Sequence, residues 1–293
     1  MTTEAVLTVH DTRPVWFVQA LAHKPKSHVV QVQNCPIHYL SWNLDQTEKP
    51  ALMFVHGYRA HARWWDFTAP FFTDAFRVIA LDFSGMGDSG HRSHYDGDVF
   101  VQDMLGVLAD AGLQQVTLVG HSFGGGRVLQ ACVEAPQLIR RAIVVDSYVH
   151  ASNESRLNVK QPKAIAEPYL AQSDALARFR LTPAQPPGPA FIADYVARHS
   201  LRQVRGGWDW KFDRRLPTMM LAKEDEFERL SRIRVPVDYV LGEDSAVVTL
   251  KQAERLAAQI PHCRGPIVIP EAYHHMMLSQ PLALISTLRA LLA

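Results

Sequence analysis

The sequence predicts an α/β domain with a mostly parallel, doubly wound sheet and an inserted helical cap. Short apolar runs alternate with helix-compatible segments along most of the chain, as strands alternate with crossovers in such sheets. One run ends at residues 120–124, Gly-His-Ser-Phe-Gly, where a tight turn leads into a helix-compatible segment. A longer segment, residues 147–232, interrupts the alternation. These three observations predict one large domain that carries an insertion.

Regular structure is expected to begin with an antiparallel hairpin over residues 28–42. Apolar and polar residues alternate there, and residues 34–36, Asn-Cys-Pro, supply a turn signal. Alternation of this kind is typical of strands with one buried face.

Parallel strands are predicted where apolar residues follow one another without interruption, because a strand buried on both faces needs no polar side. Residues 98–112 have helical spacing and end at glycine, which suits a crossover before the strand that leads to residue 120. The predicted parallel strands are residues 51–55, 77–82, 116–119, 141–146, 236–242 and 266–270.

Residues 147–232 are predicted to form a cap, while residues 1–146 and 233–293 form the core. The cap segment contains a proline-rich stretch at residues 186–189, several short helical patterns and an aromatic cluster at residues 208–212. Insertions that follow the carboxyl end of a strand lie over the ligand crevice of such sheets. We therefore expect a helical lid above the functional site.

Ser122 is predicted to be a nucleophile, because it occupies the turn between a strand and a helix. A turn tight enough to raise a hydroxyl off the sheet leaves no room for neighbouring side chains, and Gly120 and Gly124 provide that room. The following helix brings free backbone N–H groups to Ser122, where they favour negative charge. An oxyanion formed there would be stabilised.

A serine hydroxyl needs a base, and imidazole is the side chain that titrates near neutral pH. Among 14 histidines, His274 and His275 directly follow the last predicted strand and precede the terminal helix. Loops at strand ends converge on the crevice of a parallel sheet. His56 and His121 also lie near the expected site, but we expect packing or hydrogen-bonding roles for them.

Taken together, these stretches resemble the α/β-hydrolase family over nearly the whole chain outside the cap and the N-terminal segment. As a set, the matching motifs are specific to that family. They are His56-Gly57, residues 82–89 (Asp-Phe-Ser-Gly-Met-Gly-Asp-Ser), residues 120–124, and His274 seven residues before Pro281.

The resemblance implies an eight-stranded type of sheet and a catalytic triad in the order serine, acid, histidine. It also implies an oxyanion hole formed by the backbone N–H groups of Tyr58 and Phe123. The family's spacing to Pro281 favours His274 over His275 as the base.

Two carboxylates are candidates for the triad acid. Family members usually carry the acid after the penultimate strand in a Gly-x-x-Asp arrangement, whereas residues 242–245 here are Gly-Glu-Asp-Ser, so that Asp244 comes one residue early. Other members carry the acid after the strand that follows the elbow helix, where this chain has Asp146. We predict Asp146 as the acid, with the Ser245 hydroxyl bridging His274 and Asp146, and Asp244 stays the alternative.

A serine nucleophile with a histidine base performs acyl transfer. The leading prediction is therefore hydrolysis of a carboxylic ester, a lactone or a thioester through an acyl-enzyme. Epoxide hydrolases and haloalkane dehalogenases of this fold need an aspartate in the elbow, so Ser122 excludes them. Two alternatives stay open: a C–C bond hydrolase of ring-fission products that uses the same triad, and a slow-turnover ligand receptor on a hydrolase scaffold.

The substrate is expected to be small and largely apolar. Trp64 and Trp65 follow the predicted oxyanion loop, and Trp208 and Trp210 lie in the cap. These rings would either bind an apolar group of the substrate or pack the core of the cap.

No metal and no organic cofactor is expected, because acyl transfer by a serine requires neither. The polar residues His91, His94, Asp96 and Asp98 match no familiar metal-ligand spacing. We interpret them as a solvated loop.

Composition narrows the expected partners and location. The 293 residues include 30 Lys and Arg against 29 Asp and Glu, a net charge of +1, and no long basic run, which argues against nucleic acid. The N-terminus lacks a basic segment followed by an apolar core, and no stretch reaches the roughly 18 apolar residues that span a bilayer. Three widely spaced cysteines suit reduced thiols. We expect a cytoplasmic protein that acts on a small molecule and is compatible with a homodimer.

Overall fold

A central sheet organises the structure, a computed structural model that describes residues 13–149, 167–186, 188–216, 220–221 and 226–293. The strands in these ranges are β1 (Lys26–Val32), β2 (Cys35–Trp42), β3 (Ala51–Val55), β4 (Arg77–Leu81), β5 (Tyr95–Asp96), β6 (Val116–His121), β7 (Ile139–Val145), β8 (Leu201–Val204), β9 (Gly207–Trp210), β10 (Met220–Leu221), β11 (Val237–Gly242) and β12 (Cys263–Ile269).

The α-helices of the same ranges are α1 (Val15–Ala22), α2 (Gly97–Asp110), α3 (Phe123–Glu134), α4 (Gln172–Leu176), α5 (Ala190–His199), α6 (Glu226–Arg229), α7 (Leu250–Gln259), α8 (Met276–Ser279) and α9 (Pro281–Leu292). Short 3-10 helices occur at Ala62–Trp65, Ala69–Phe72, Pro136–Leu138 and Leu230–Arg232. A membrane-spanning helix, which would have to be longer and more apolar than any of these, is not found among the described residues.

Eight of the described strands form the central sheet in the order β1-β2-β4-β3-β6-β7-β11-β12. The β1-β2 hairpin is antiparallel, and β2 runs antiparallel to β4. The neighbouring pairs from β4 to β12 are all parallel. The prediction of a mostly parallel, doubly wound sheet is confirmed. The chain leaves β3 for β4 on one side and later enters β6 on the other, which places the ligand crevice at the carboxyl ends of β3 and β6.

The hairpin turn differs slightly from the sequence prediction. It is formed by Gln33 and Asn34, which have φ of 48° and 63°. A two-residue turn that matches the twist of its strands needs positive φ at both positions, which asparagine tolerates and proline cannot adopt. Pro36 therefore lies within β2, opposite Gln31 of β1.

Both faces of the parallel strands are buried, as the uninterrupted apolar runs predict. In β3, Met53 and Val55 pack in the core cluster that contains Phe100 of α2 and Val128 of α3. The alternate residues of β3 pack in a second cluster with side chains of α1 and α9. This division follows from the two-residue period of a strand.

The edge strand β12 begins at Cys263, three residues before the predicted start at 266. It lies at the end of the sheet, where several of its side chains are exposed. Its apolar pattern is therefore incomplete, which is why the sequence did not indicate its first residues.

The described part of the cap segment is not purely helical. It contains α4 and α5, but β8 and β9 form an antiparallel hairpin, and β10 pairs with β5 of the core segment. Arg205 and Gly206 form the turn of this hairpin, and Gly206 and the first residue of β9, Gly207, have φ values of 93° and 145° that suit glycine. The expectation of a helical cap is therefore corrected to a mixed one. The other cap residues, 150–166, 187, 217–219 and 222–225, lie outside the described ranges.

Candidate active site

Ser122 occupies the turn between β6 and α3. Its backbone has φ 54° and ψ −124°, a conformation that L residues rarely adopt, and its N–H donates to the Val145 carbonyl oxygen at 2.9 Å. A Cβ at residue 120 would lie 2.8 Å from the carbonyl oxygen of residue 124, and a Cβ at 124 would lie 2.4 Å from the His56 carbonyl oxygen. Both positions of the turn therefore require glycine, because no side chain fits there.

His274 lies in the loop between β12 and α8 and is buried. Its Nε2 is 2.9 Å from Ser122 Oγ, and its Nδ1 is 3.3 Å from Asp146 Oδ1. Because an ionised carboxylate only accepts, this arrangement assigns the proton to Nδ1 and leaves Nε2 to accept from the Ser122 hydroxyl. The three side chains form a continuous line from hydroxyl to imidazole to carboxylate.

Asp146 directly follows β7 and is fully buried. Its φ is 47°, and its N–H donates to the Val240 carbonyl oxygen at 2.8 Å, which fixes the residue between β7 and β11. The carboxylate also accepts from the Gly242 N–H at 3.2 Å and from the Ser245 hydroxyl at 2.8 Å. Three donors therefore face this carboxylate when His274 is included.

Asp244, the alternative acid, has an exposed side chain and is not brought to His274. Its backbone N–H donates to the Ala272 carbonyl oxygen at 2.9 Å, which holds it on the outside of the loop. Ser245 contacts Asp146 as predicted, but its hydroxyl does not bridge to His274. Instead, the Ser245 oxygen accepts from the N–H groups of Val247 and Val248 at 3.1 and 3.2 Å.

Two further imidazoles surround His274. His121 Nε2 donates to the His274 carbonyl oxygen at 2.9 Å, and the His275 N–H donates to Gln185 Oε1 at 2.8 Å. Burial, helped by His274, lowers the pKa of His275 to about 3. Burial, with His274 and His275, lowers the pKa of His121 well below its ordinary value. Both rings are neutral near pH 7, and the structure brings His274 rather than His275 to Ser122.

The segment predicted to form the oxyanion hole lies beside the nucleophile. A Cβ at Gly57 would lie 3.3 Å from Ser122 Cβ, so the chain passes as close as a glycine allows. His56 fixes this segment: its Nδ1 donates to the Gly57 carbonyl oxygen at 2.7 Å, and its Nε2 accepts from the Phe83 N–H at 3.1 Å. Within the described residues, the backbone N–H groups of Tyr58 and Phe123 have no acceptor.

Most of the sequence matches the profile of a known family. Residues 52–287, from β3 to α9, match the profile described as the alpha/beta hydrolase family. The chain belongs to the alpha/beta hydrolase family. The matched range contains Ser122, Asp146 and His274, and the eight-stranded sheet has the architecture that the resemblance implies.

Relatives of this family member include proteins with different named activities. The esterase Rv0045c of Mycobacterium tuberculosis is 25% identical over 282 residues, which cover 94% of this chain and 92% of the esterase. The solved structure of that esterase has a TM-score of 0.73 at 21% identity and covers 95% of this chain and 96% of its own. The thioesterase domain from the curacin biosynthetic pathway has a TM-score of 0.75 at 22% identity and covers 90% of this chain and 99% of its own. Epoxide hydrolase 4 of Mus musculus is 22% identical over 261 residues, which cover 84% of this chain and 61% of that protein.

Two groups of described side chains in this hydrolase-family chain have the donor types and spacing to hold a metal ion. In the group of His121, His274 and His275, the ligand atoms lie within 4.8 Å of one another. Both ring nitrogens of His274 are already engaged, by Ser122 and by Asp146.

The second group is His38, Asp82 and Asp88. The Asp82 carboxylate accepts from the N–H groups of Ala62 and Asp88 at 2.6 and 2.9 Å, and it contacts His38 Nδ1 at 2.7 Å. Burial alone would raise the pKa of Asp82, but the hydrogen bond and charge of His38 lower it below its ordinary value. These contacts give the group a structural role: Asp82 joins the loop after β3, the loop after β4 and His38 of β2.

The interpretation of four polar residues as a solvated loop is corrected in part: Asp96 is buried at the end of β5 and caps α2, and Asp98 lies in the first turn of that helix, whereas His91 and His94 are exposed. His94 Nε2 lies 3.0 Å from Asp96 Oδ2, and the other oxygen of Asp96 accepts from the Val99 N–H at the start of α2. His91 Nδ1 lies 3.6 Å from Asp213 in the cap segment. His91, His94, Asp96 and Asp98 are not among the described groups with metal-ligand spacing.

The four tryptophans singled out as substrate contacts have different surroundings. The Trp64 ring lies 5.3 Å from the His275 ring, next to the site. Trp65 is fully buried and stacks on Phe54 of the core at 4.8 Å. Trp210 packs in the small cap cluster, and Trp208 contacts the same cluster from its edge. The expectation of substrate binding is therefore corrected for Trp65, because its ring faces the core. Trp208 and Trp210 pack within the cap segment, which was the alternative expectation for these rings.

Side chains join the cap segment to the core at several points. His61 Nε2 donates to Ser200 Oγ at 2.9 Å, the Tyr195 hydroxyl donates to Asp66 at 2.5 Å, and Lys211 pairs with Asp88 at 2.7 Å. The contact between His61 and Ser200 links the loop after β3 to the end of α5. Sequence reasoning missed these partners and Gln185, because no local pattern shows which cap side chain meets which loop.

Proposed function

We propose that the chain hydrolyses a carboxylic ester of a small, largely apolar substrate through an acyl-enzyme on Ser122. One observation carries the proposal: the unbroken line from Ser122 Oγ through His274 to Asp146, with distances of 2.9 and 3.3 Å. A hydroxyl, an imidazole and a buried carboxylate in this order are the groups that acyl transfer requires.

In the first step, His274 Nε2 takes the proton of Ser122 Oγ as the oxygen attacks the ester carbonyl carbon. The backbone N–H groups of Tyr58 and Phe123 donate to the oxyanion that forms. His274 then gives the proton to the leaving alcohol, which leaves an acyl group on Ser122. Water repeats the same sequence and releases the acid, so the enzyme returns to its starting state.

Asp146 is proposed to hold His274 in the tautomer that accepts from Ser122 and to stabilise the imidazolium. The Gly242 N–H and the Ser245 hydroxyl support this role, because their hydrogen bonds hold the carboxylate in place beside His274. Ser245 thereby positions Asp146 without touching His274.

The names of the relatives favour esters but do not select the substrate. Similarity to an esterase supports ester hydrolysis, and similarity to a thioesterase domain keeps thioesters within the same mechanism, as lactones are. The epoxide hydrolase relative does not redirect the proposal, because that chemistry needs an aspartate where this chain has Ser122. We further propose that residues 147–232 act as the cap that selects the substrate, with Trp64 against its apolar part.

The direct test is labelling with a fluorophosphonate, followed by mass spectrometry of the adduct. We expect the label on Ser122 in the wild-type protein and none in Ser122→Ala, while the exposed Ser231 or any other serine stays unlabelled. A label elsewhere, or none on a folded protein, would contradict the nucleophile assignment.

A substrate panel then separates the alternatives. p-Nitrophenyl esters of graded chain length test ester hydrolysis, and a ring-fission product with a vinylogous diketone tests C–C bond hydrolysis. We expect multiple turnovers on the esters. Turnover on the ring-fission product alone would replace esterase by C–C hydrolase, and labelling of Ser122 with a single slow turnover would indicate the receptor.

A further inference from the structure

Arg59 immediately follows Tyr58, one of the two proposed oxyanion donors, and has an unusual backbone. Its φ is 57°, in the left-handed region that few residues other than glycine adopt. Its N–H donates to the Met86 sulfur at 3.2 Å. The surrounding loops therefore hold this residue in a disfavoured conformation, and such positions are concentrated at functional sites.

The Arg59 guanidinium lies against two aromatic rings. Its central carbon is 5.3 Å from the centroid of Tyr58 and 4.8 Å from the centroid of Phe212 in the cap segment. Rings attract a guanidinium through its flat face and leave the N–H groups at its edge available to an acceptor. Tyr58 and Phe212 thus fix the orientation of the fork.

One donor of the Arg59 side chain has no partner among the described residues. Its Nε is buried and has no hydrogen-bond partner in the part of the chain that the structure describes. Two other cations, in contrast, each have a carboxylate partner: Arg63 pairs with Asp66 at 3.0 Å, and Lys211 pairs with Asp88 at 2.7 Å. A buried donor without an acceptor is costly, so an acceptor from outside the chain is favoured there.

The carboxylate of Asp213 already has hydrogen-bond donors inside the protein. Burial raises the pKa of Tyr58, Arg59 lowers it in part, and the charge of Asp213 raises it. The Asp213 carboxylate, however, accepts from Arg215 at 2.7 Å and from the Tyr95 hydroxyl at 2.9 Å. It therefore leaves the positive charge of Arg59 available to a ligand.

The position of Arg59 brings it within reach of a substrate on Ser122. A Cβ at Gly57 would lie 3.3 Å from Ser122 Cβ, and Arg59 follows two residues later. Consecutive Cα atoms are about 3.8 Å apart, so the Cα of Arg59 is within about 8 Å of that of Gly57. The guanidinium lies over the Tyr58 ring, which in turn lies 5.8 Å from the ring of Phe123, the residue after Ser122.

We propose that Arg59 binds a carboxylate of the substrate, so that the preferred esters carry an acid group besides the ester bond. This inference rests on the proposed ester hydrolysis at Ser122 and narrows its substrate class. The fork of the guanidinium matches the two oxygens of a carboxylate, and its orientation is fixed before the ligand arrives. An apolar linker between the two groups would still pack against Trp64.

Matched substrate pairs test the proposal. On the acyl side, p-nitrophenyl monoesters of adipic and suberic acid are compared with p-nitrophenyl hexanoate and octanoate. On the alcohol side, 4-acetoxybenzoate is compared with 4-acetoxybenzamide. In at least one arm, the wild-type kcat/KM should be tenfold or more higher for the anionic ester than for its neutral partner.

Variants assign that preference to Arg59. Arg59→Met should lower the ratio of anionic to neutral kcat/KM by about ten- to a hundredfold, mainly through KM, as expected for a charge-assisted hydrogen bond. Arg59→Lys should keep part of the ratio, because it retains the charge but not the fork. Lys211→Met, which removes a cation already paired with Asp88, is the matched control and should leave the ratio within twofold.

An equal ratio in wild type and Arg59→Met, or a wild-type ratio at or below one in both arms, would overturn the proposal. If Arg59→Met does not fold, as judged by circular dichroism, the wild-type ratio and the Arg59→Lys ratio decide in its place. Failure here is distinct from failure of the proposed function: hydrolysis of the neutral esters and labelling of Ser122 would persist in the first case and be absent in the second.

Discussion

The two halves of the site differ in how their polar atoms are satisfied. In the strand-end half, formed by Ser122, His274 and Asp146, each side chain has a partner inside the protein. In the cap-facing half, several buried polar atoms have no partner among the described residues. These atoms are Tyr58 Oη, Arg59 Nε, Trp64 Nε1 and Gln185 Nε2.

This contrast separates the residues proposed for catalysis from those proposed for substrate binding. The strand-end half is held by backbone bonds between neighbouring strands, such as Ser122 N–H to Val145 and Asp146 N–H to Val240. The cap-facing half depends on side-chain contacts between segments far apart in the chain, such as His61 with Ser200. A catalytic group must be positioned before the substrate arrives, whereas unsatisfied donors gain most when a ligand supplies the acceptor.

The largest expected effect tests whether the strand-end half alone carries the chemistry. Ser122→Ala and His274→Ala should each lower kcat on an activated ester by about 10⁵- to 10⁶-fold, because nucleophile and base act as one unit. His275→Ala is the matched control and should keep kcat within about tenfold. Stopped assays with a p-nitrophenyl ester measure all three. Equal losses in the two histidine variants would contradict the assignment of His274, and not His275, as the base.

The next effect concerns the acid within the same half. Asp146→Asn should lower kcat by up to about 10⁴-fold, because an amide no longer holds the imidazole in the accepting tautomer. Asp244→Asn should stay within about twofold, since that side chain is exposed, and Ser245→Ala should lose about tenfold through a less well held Asp146. If Asp244→Asn is nearly inactive while Asp146→Asn is nearly normal, the assignment of Asp146 as the triad acid is wrong.

The strand-end half is also the part that the sequence could predict. Strand β3 and the elbow around Ser122 are local features, because the apolar run, the glycines and the helix all lie within a short stretch. The choice between Asp146 and Asp244 stayed open, because both follow strands that end at the same edge of the sheet. The decisive facts, the φ of 47° at Asp146 and the contact with Ser245, depend on neighbouring strands.

The cap-facing half could be predicted only in part, because its contacts join segments that are far apart in the chain. Trp64 and Trp65 are adjacent in sequence, and only the direction of a short 3-10 helix decides which ring reaches the site. Trp210 belongs to a hairpin whose four-residue strands are too short to give a clear period. The sequence did not indicate a role for Arg59, because the family motif at this point concerns the backbone N–H of Tyr58 and not the side chain that follows it.

A smaller effect tests how the cap is attached. Burial lowers the pKa of His61 to about 3, with His56, His199 and Lys211 also lowering it and Asp82 raising it. Because the unfolded value is about 6.5, the unfolded state binds more protons between pH 6.5 and 3. The stability that the neutral ring contributes is complete above pH 6.5 and is lost as the pH falls through this window.

Urea unfolding between pH 7 and pH 5 measures this contribution. Each pH unit below 6.5 should change the unfolding equilibrium constant by up to about tenfold for one such proton. His61→Gln should reduce the slope of unfolding free energy against pH by up to one proton. Identical slopes in wild type and His61→Gln would show that the link to Ser200 does not depend on a neutral ring.

The smallest effect compares two neighbouring rings, one in each environment. Trp64 lies against His275, so Trp64→Phe should change KM for long-chain esters by about three- to tenfold and kcat by less than about twofold. The reason is that apolar contact binds ground state and transition state alike. Trp65 stacks on Phe54 in the core, so Trp65→Phe should leave KM unchanged and lower the melting temperature by a few degrees through the space it opens. Steady-state kinetics over a chain-length series and thermal unfolding of both variants provide the measurement. If Trp64→Phe lowers only stability, the ring belongs to the core in the same sense as Trp65, and recognition of the apolar group must be assigned to other residues of the cap-facing half.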